Sequence, residues 1–147
     1  TAMSTGAMDM QENAATILIV DDEVHILHVV SLKLRNAGYH VLTAEDGEEA
    51  FDAARRLKPA LVITDYQMPY VNGLELCVRL RNHEPTANIP CIMLTARGYS
   101  LAQEQMEQTN IVAVISKPFS PREILARTQE LIGAGTSAVA EPGRPEP

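Results

Sequence analysis

Four short runs of the chain are almost wholly apolar and rich in β-branched residues: Thr16–Val20 (TILIV), Ala60–Thr64 (ALVIT), Pro90–Leu94 (PCIML) and Ile111–Ile115 (IVAVI). Continuous rather than alternating hydrophobicity marks strands covered on both faces, as in a parallel sheet. Val41–Ala44 is a weaker fifth run and reads as an edge strand. Between these runs the period changes. Val24, Leu27, Val30/Ser31 and Leu34 step by three or four toward a stop at Gly38, the spacing of one helix face. Asp46 with Glu49 opens a helix that ends near Lys58, before Pro59, and Asn72 with Glu75 opens one through Leu74, Val78 and Leu80. Ser120, Pro121 and Glu123 begin the last helix. In each case the cap, the glutamate or the proline deals with amide groups that a helix start leaves unpaired. Between Gly98 and Asn110 only Leu101, Ala102 and Met106 are apolar. A helix there has little to anchor it and is a candidate for movement. Strand and helix alternate five times, which predicts a doubly wound α/β sandwich.

The pattern also delimits the folded unit. Residues 1–13 carry three Met, small residues and no apolar period, and two residues precede Met3, as a cloning remnant would leave them. Residues 134–147 (AGTSAVAEPGRPEP) hold a single large apolar residue with three Pro and two Gly. Such a segment cannot offset the entropy of ordering, so a disordered tail or truncated linker is expected. The domain is therefore expected over 14–133.

Charge narrows the function. Twelve Lys and Arg face 19 Asp and Glu, a net charge of −7 over 147 residues. Phosphate backbones require clustered cations, so direct nucleic-acid binding is not expected. No apolar run approaches the roughly 20 residues that span a bilayer, and a cytoplasmic protein with no membrane partner is expected. Cys77 and Cys91 each lie inside an apolar segment without a CxxC partner, and read as buried free thiols. His25, His28, His40 and His83 form no metal pair, and no Gly-rich phosphate loop follows the first strand.

Candidate chemistry gathers where the strands end. Asp21 and Asp22 follow the first, Asp65 the third, Thr95 and Ala96 the fourth, and Lys117 with Pro118 the fifth. Open parallel sheets bind ligands outside the carboxyl ends of their strands. Any one of these residues alone has an ordinary explanation, Asp22 for instance as a helix cap. Together they place three carboxylates at one rim, where mutual repulsion calls for a cation. Lys117 supplies one charge, and a hard divalent ion with oxygen ligands, Mg²⁺ first, would balance the rest. The absence of His and Cys from the rim argues against zinc. With Thr95 and Lys117 as donors to phosphoryl oxygens, the rim reads as a site for phosphoryl transfer.

ILIVDDE (Ile17–Glu23), TDYQMPYVNG (Thr64–Gly73), MLTA (Met93–Ala96) and SKPF (Ser116–Phe119) together resemble the receiver domain of two-component response regulators, over the whole of 14–133. The separations from Asp22 to Asp65 (43), Asp65 to Thr95 (30) and Thr95 to Lys117 (22) also fit that family. The resemblance implies a flavodoxin-like (βα)5 sandwich with a five-stranded parallel sheet in the order 2-1-3-4-5. It implies that Asp65 is the phosphoacceptor for a sensor histidine kinase, a phosphotransfer protein or a small phosphodonor. Asp22, Asp65 and the Gln67 backbone carbonyl would ligate Mg²⁺, with Asp21 acting through a water. Thr95 and the Ala96 amide would bind phosphoryl oxygens, Lys117 would pair with them, and the Lys117–Pro118 bond would be cis. Phosphorylation would switch the face made by the fourth helix, fifth strand and fifth helix. That face would address a downstream effector or an output domain absent from this sequence, with a homodimer as one outcome. Gly73 would fill a backbone position that other residues fit poorly. The protein would be a signalling switch that catalyses only its own phosphorylation and dephosphorylation.

Some residues depart from the family pattern. Receivers usually carry Tyr or Phe three residues before the Lys, where this chain has Val114, and Tyr99 is the nearby substitute. Gln67 and Arg97, each two residues beyond a site residue, are expected to set the lifetime of the phosphorylated form. Two other readings compete. One is a degenerate receiver acting as a phosphorylation-independent protein-binding module, which would normally have lost one of Asp65, an acidic partner or Lys117. The other is a Mg²⁺-dependent phosphatase or transferase with an Asp nucleophile, but TILIVDDEVH lacks the D-x-D-x-[TV] of haloacid-dehalogenase-like enzymes.

Overall fold

Each of the apolar runs becomes a strand. The computed structural model describes residues 14–96 and 100–133. The expectations for 1–13, for 134–147 and for Arg97 and Tyr99 lie outside the described residues, and between Gly98 and Asn110 the described helix spans Gln103–Glu107. Strands β1 (Thr16–Val20), β2 (His40–Ala44), β3 (Leu61–Asp65), β4 (Cys91–Thr95) and β5 (Ile111–Ser116) form one parallel sheet in the order β2-β1-β3-β4-β5. The helices are α1 (Val24–Asn36), α2 (Gly47–Leu57), α3 (Gly73–Arg81), α4 (Gln103–Glu107) and α5 (Pro121–Ile132).

Pleating sends alternate strand residues to opposite faces, and both faces are covered. Ile17, Ile19, Ile63, Ile92 and Leu94 pack with Leu27, Val30 and Leu34 of α1 and Ile124 of α5. On the other face Leu18, Val20, Val62 and Met93 pack with Ala50 and Ala54 of α2 and with Leu76, Cys77 and Leu80 of α3. This double coverage explains the unbroken apolar runs within β1, β3 and β4, at 17–20, 61–63 and 91–94. Cys77 and Cys91 are buried free thiols within the second cluster, as their sequence setting predicts.

The caps are where the sequence places them. Asp46 accepts the Glu49 amide at 2.8 Å, and Ser120 Oγ accepts that of Glu123 at 3.1 Å. Asn72 and Glu75 form a reciprocal box, with bonds of 2.8 and 2.9 Å. At the other helix ends, Lys58 takes a left-handed φ of 45° before Pro59, and Gly38 has φ 103°, a conformation that costs glycine little.

The structure corrects several expectations. Pro90 has no N–H to contribute, so the fourth strand begins at Cys91, whose amide donates to Asn110 O at 2.9 Å. Asp65 and Thr95 are the last residues of β3 and β4, paired with Leu94 and Ser116 of the neighbouring strands, not the first residues after them. β5 alternates rather than staying buried, and Val112 is 47% exposed. As an edge strand it is flanked by α4, which has only five residues and none buried. Val24 is exposed, so the core face of α1 is Leu27, Val30, Ser31 and Leu34. On α3 the core face is Leu76, Cys77 and Leu80, with Leu74 and Val78 half-buried beside it.

Candidate functional site

The strand order reverses direction between β1 and β3, and the carboxyl ends of these two strands open the crevice where open α/β sheets bind ligands. Asp21 follows β1 directly and is wholly buried. Its amide donates to Ala44 O at 3.1 Å, and its Oδ1 accepts the Glu23 amide at 2.9 Å. Asp22 does not cap α1: the cap position is Glu23, which makes no side-chain cap bond, and Asp22 stays exposed. Asp65 ends β3 and is 5% exposed. Carboxylate oxygens of Asp21, Asp22 and Asp65 all lie within 4.8 Å of one another.

Lys117 reaches into this cluster from the end of β5. Its amide donates to Thr95 O at 2.7 Å, and the Lys117–Pro118 bond is cis, as the resemblance implies. The ammonium nitrogen lies 3.1 Å from Asp65 Oδ1 and 3.6 Å from Asp21 Oδ2. Among the described residues one cation thus faces three carboxylates. Burial pushes Asp21 up to about 6 from an ordinary 3.8; the Glu23 amide opposes this and the Asp65 charge adds to it. Burial likewise raises Asp65, against the pull of Lys117. For Lys117 burial acts to lower the pKa, but the Asp65 and Asp21 carboxylates outweigh it and hold the ammonium above its usual range. The pocket holds more negative charge than its own cation neutralises.

Two buried polar atoms of the strand-end residues, Asp21 Oδ2 and Thr95 Oγ1, have no hydrogen-bond partner among the described residues. Buried polar groups are rarely left so. The donor set is all oxygen, which suits a hard divalent cation such as Mg²⁺. Ala96 is exposed at the rim directly after Thr95, and Gln67 is exposed two residues beyond Asp65. His25 does not enter the cluster: it is 76% exposed and lies 3.9 Å from Glu23.

The β3–α3 loop is held tightly at both ends. Tyr66 N donates to Leu94 O at 2.8 Å, and Gly73 N donates to Tyr66 O at 2.9 Å. Gly73 is required for space rather than for backbone conformation, since its φ is not positive. A Cβ there would stand 2.3 Å from Asp65 O and 2.9 Å from Met93 Sδ. Sequence reasoning missed two features of this loop. Tyr70 has φ 66° and is 95% exposed, and Val71 packs on Gly47 at the start of α2. No local signal pointed to the contact, because it joins residues far apart in the sequence.

Known proteins resemble this chain in sequence and in fold. The response regulator receiver domain family model matches residues 17–129. The phosphate regulon transcriptional regulatory protein PhoB of Pseudomonas aeruginosa is 41% identical over 117 residues, covering 80% of this chain and 51% of that protein. The alkaline phosphatase synthesis transcriptional regulatory protein PhoP of Bacillus subtilis is 37% identical over 116 residues, 79% of this chain and 48% of that one. The chain thus spans about half the length of the curated relatives it matches. Among solved structures, the chemotaxis response regulator CheY4 of Vibrio cholerae superposes with a TM-score of 0.75 at 31% identity, covering 82% of this chain and 100% of that one. The receiver domain of the sensor histidine kinase PA1611 of Pseudomonas aeruginosa is described with a magnesium ion coordinated in its active site cleft. It superposes with a TM-score of 0.72 at 28% identity, covering 82% and 98% of the two chains. Among the described residues no helix is long and apolar enough to cross a membrane. By sequence, by strand order and by the carboxylate–lysine cluster at its strand ends, this chain belongs to the response regulator receiver domain family of two-component signalling.

Proposed function

We propose that Asp65 is the phosphoacceptor of this receiver and that its phosphorylation, dependent on Mg²⁺, is the signal the domain carries. The observation that supports this most is the position of Lys117, 3.1 Å from Asp65 and 3.6 Å from Asp21, among carboxylates it cannot fully neutralise. Asp22, Asp65 and the Gln67 carbonyl would hold the metal, with Asp21 acting through water. Bound there, Mg²⁺ would supply charge neutralisation for an incoming phosphoryl group. An Asp65 oxygen attacks phosphorus, the bond from phosphorus to the donor breaks, and the leaving group departs with that electron pair. The Thr95 hydroxyl and the Ala96 amide donate to phosphoryl oxygens, and Lys117 turns toward them. The product carries up to about two negative charges and three acceptor oxygens, which gives Thr95 Oγ1 the partner it otherwise lacks.

The readout follows from the weakest part of the fold. α4 buries none of its residues, and Val112 and Val114 of β5 beside it are only partly covered. Contacts made by Thr95 and Lys117 favour one member of a pre-existing pair of states of the α4–β5–α5 face. In this reading the phosphodonor is a sensor histidine kinase or a phosphotransfer protein in the cytoplasm. The recipient is an effector protein, or an output domain in a longer protein such as the transcriptional relatives. The functional unit is 14–133, and it acts as a switch rather than as an enzyme on external substrates.

Amide NMR tests the readout. With acetyl phosphate and Mg²⁺, shift changes should concentrate in α4, β5 and α5 and vanish in Asp65→Asn. A phosphorylated protein whose α4–β5–α5 shifts stay unchanged would contradict the proposal.

A further inference from the structure

The seam between the start of α2 and the β3–α3 loop holds more constraint than the fold alone requires. Gly47 is the first residue of α2, behind its cap Asp46, and is buried. Its φ is not positive, so no backbone conformation demands glycine. What demands it is Val71. A Cβ on Gly47 would stand 2.7 Å from Val71 Cβ, 2.7 Å from Val71 Cγ1 and 2.9 Å from Val71 O. Real Cβ atoms do not come so close, and one of the contacts is with backbone.

Val71 is itself the closing residue of a strained turn. Its amide donates to Pro69 O at 2.8 Å, two residues back, across Tyr70 with φ 66°. A three-residue turn with positive φ at a non-glycine centre is rare and unfavourable. Tyr70 is 95% exposed, so its ring makes no burial that could hold the turn in place. Val71, by contrast, is 8% exposed. The turn is held by Val71 seated against Gly47, and by the Asn72 cap and Gly73 that follow. Between Tyr66 and this seat runs the segment that includes Gln67 and Met68.

We infer that Gly47 is a positioning residue for the phosphoacceptor site: its missing side chain is the seat on which Val71 fixes the β3–α3 loop, and with it Gln67. This rests on the Mg²⁺ reading above. It extends that site's determinants to a residue on a different helix that touches neither metal nor phosphoryl group.

The test is Gly47→Ala, with Mg²⁺ affinity measured by calorimetry and amide shifts recorded on the metal-free protein. The expected result is a loss of Mg²⁺ affinity of at least threefold, with displaced amides over 66–72. Ala54→Gly, two turns further along α2, weakens that helix without altering the seat and should leave Mg²⁺ affinity at the wild-type value, so a loss confined to Gly47→Ala is not a general loss of stability. Should Gly47→Ala fail to fold, Val71→Ala approaches the seat from the other side. It should weaken Mg²⁺ binding at least twofold with the protein still folded. Wild-type affinity in folded Gly47→Ala, or in Val71→Ala where that is the usable variant, overturns the inference while leaving the Mg²⁺ reading intact. A wild-type protein that takes up no Mg²⁺ in the same assay overturns that reading, and this inference falls with it.

Discussion

The Lys117 ammonium sits 3.1 Å from Asp65 Oδ1, so the residue proposed to accept the phosphoryl group is already paired with the domain's own cation. The pair has a cost for a second cation. A divalent ion entering the cluster is repelled by Lys117 at a distance of several ångströms, worth about 1 kcal/mol at high effective dielectric. Lys117→Met should therefore bind Mg²⁺ roughly fivefold more tightly at pH 8, where the carboxyls are ionised, while losing the α4–β5–α5 response to phosphodonor. Calorimetry beside amide NMR measures both, and weaker Mg²⁺ binding in the variant would contradict the electrostatic account.

Asp21 makes stability depend on pH. Its folded value of about 6 lies above the ordinary 3.8 of an unfolded chain. Between those values the folded protein holds a proton that the unfolded chain has released. Stability therefore falls as pH rises through that window and levels off above it, by about 2–3 kcal/mol in all. Urea denaturation of the metal-free domain should show a higher midpoint at pH 5 than at pH 7.5. Asp21→Asn should flatten that slope and raise stability at pH 7.5, and an unchanged slope would count against burial as the cause.

Thr95 is buried, and its hydroxyl has no hydrogen-bond partner among the described residues. Thr95→Val keeps the volume and removes an unsatisfied group, so stability should stay within about 0.5 kcal/mol or rise. The switch response should nonetheless be lost. A drop of more than about 2 kcal/mol in chemical denaturation would mean that the hydroxyl has a structural partner.

Gly73→Ala puts a methyl 2.3 Å from the Asp65 carbonyl oxygen. The backbone of Asp65 and Tyr66, with Met93 Sδ beside it, leaves little room to yield, and a loss of about 2–3 kcal/mol is expected. Equilibrium unfolding would show it as a lower midpoint at constant slope.

Much of this was legible in the residues alone. The strands announce themselves because a sheet covered on both faces needs apolar residues at every position, as in Leu18 and Ile19. The caps at Asp46, Asn72 and Ser120 are local chemistry and appear where local chemistry predicts. The cluster of Asp21, Asp22, Asp65 and Lys117 follows from strand ends meeting at one rim. Less legible were features set by tertiary contact. A one-residue shift put Asp65 and Thr95 inside their strands, because each still pairs with a residue of the next strand, Leu94 and Ser116. The half-open face of β5 depends on the shortness of α4, a property of the neighbour and not of the run IVAVI. The seat of Val71 on Gly47 joins residues far apart in sequence that no local pattern connects.

The central claim concerns one atom of one side chain, and intact-protein mass spectrometry tests it most directly. After incubation with acetyl phosphate and Mg²⁺, the wild-type protein should carry a single phosphoryl group. The adduct should be absent from Asp65→Asn and from wild type treated with a chelator before the donor is added. An adduct that persists in Asp65→Asn, or none in wild type with any phosphodonor, would contradict the account.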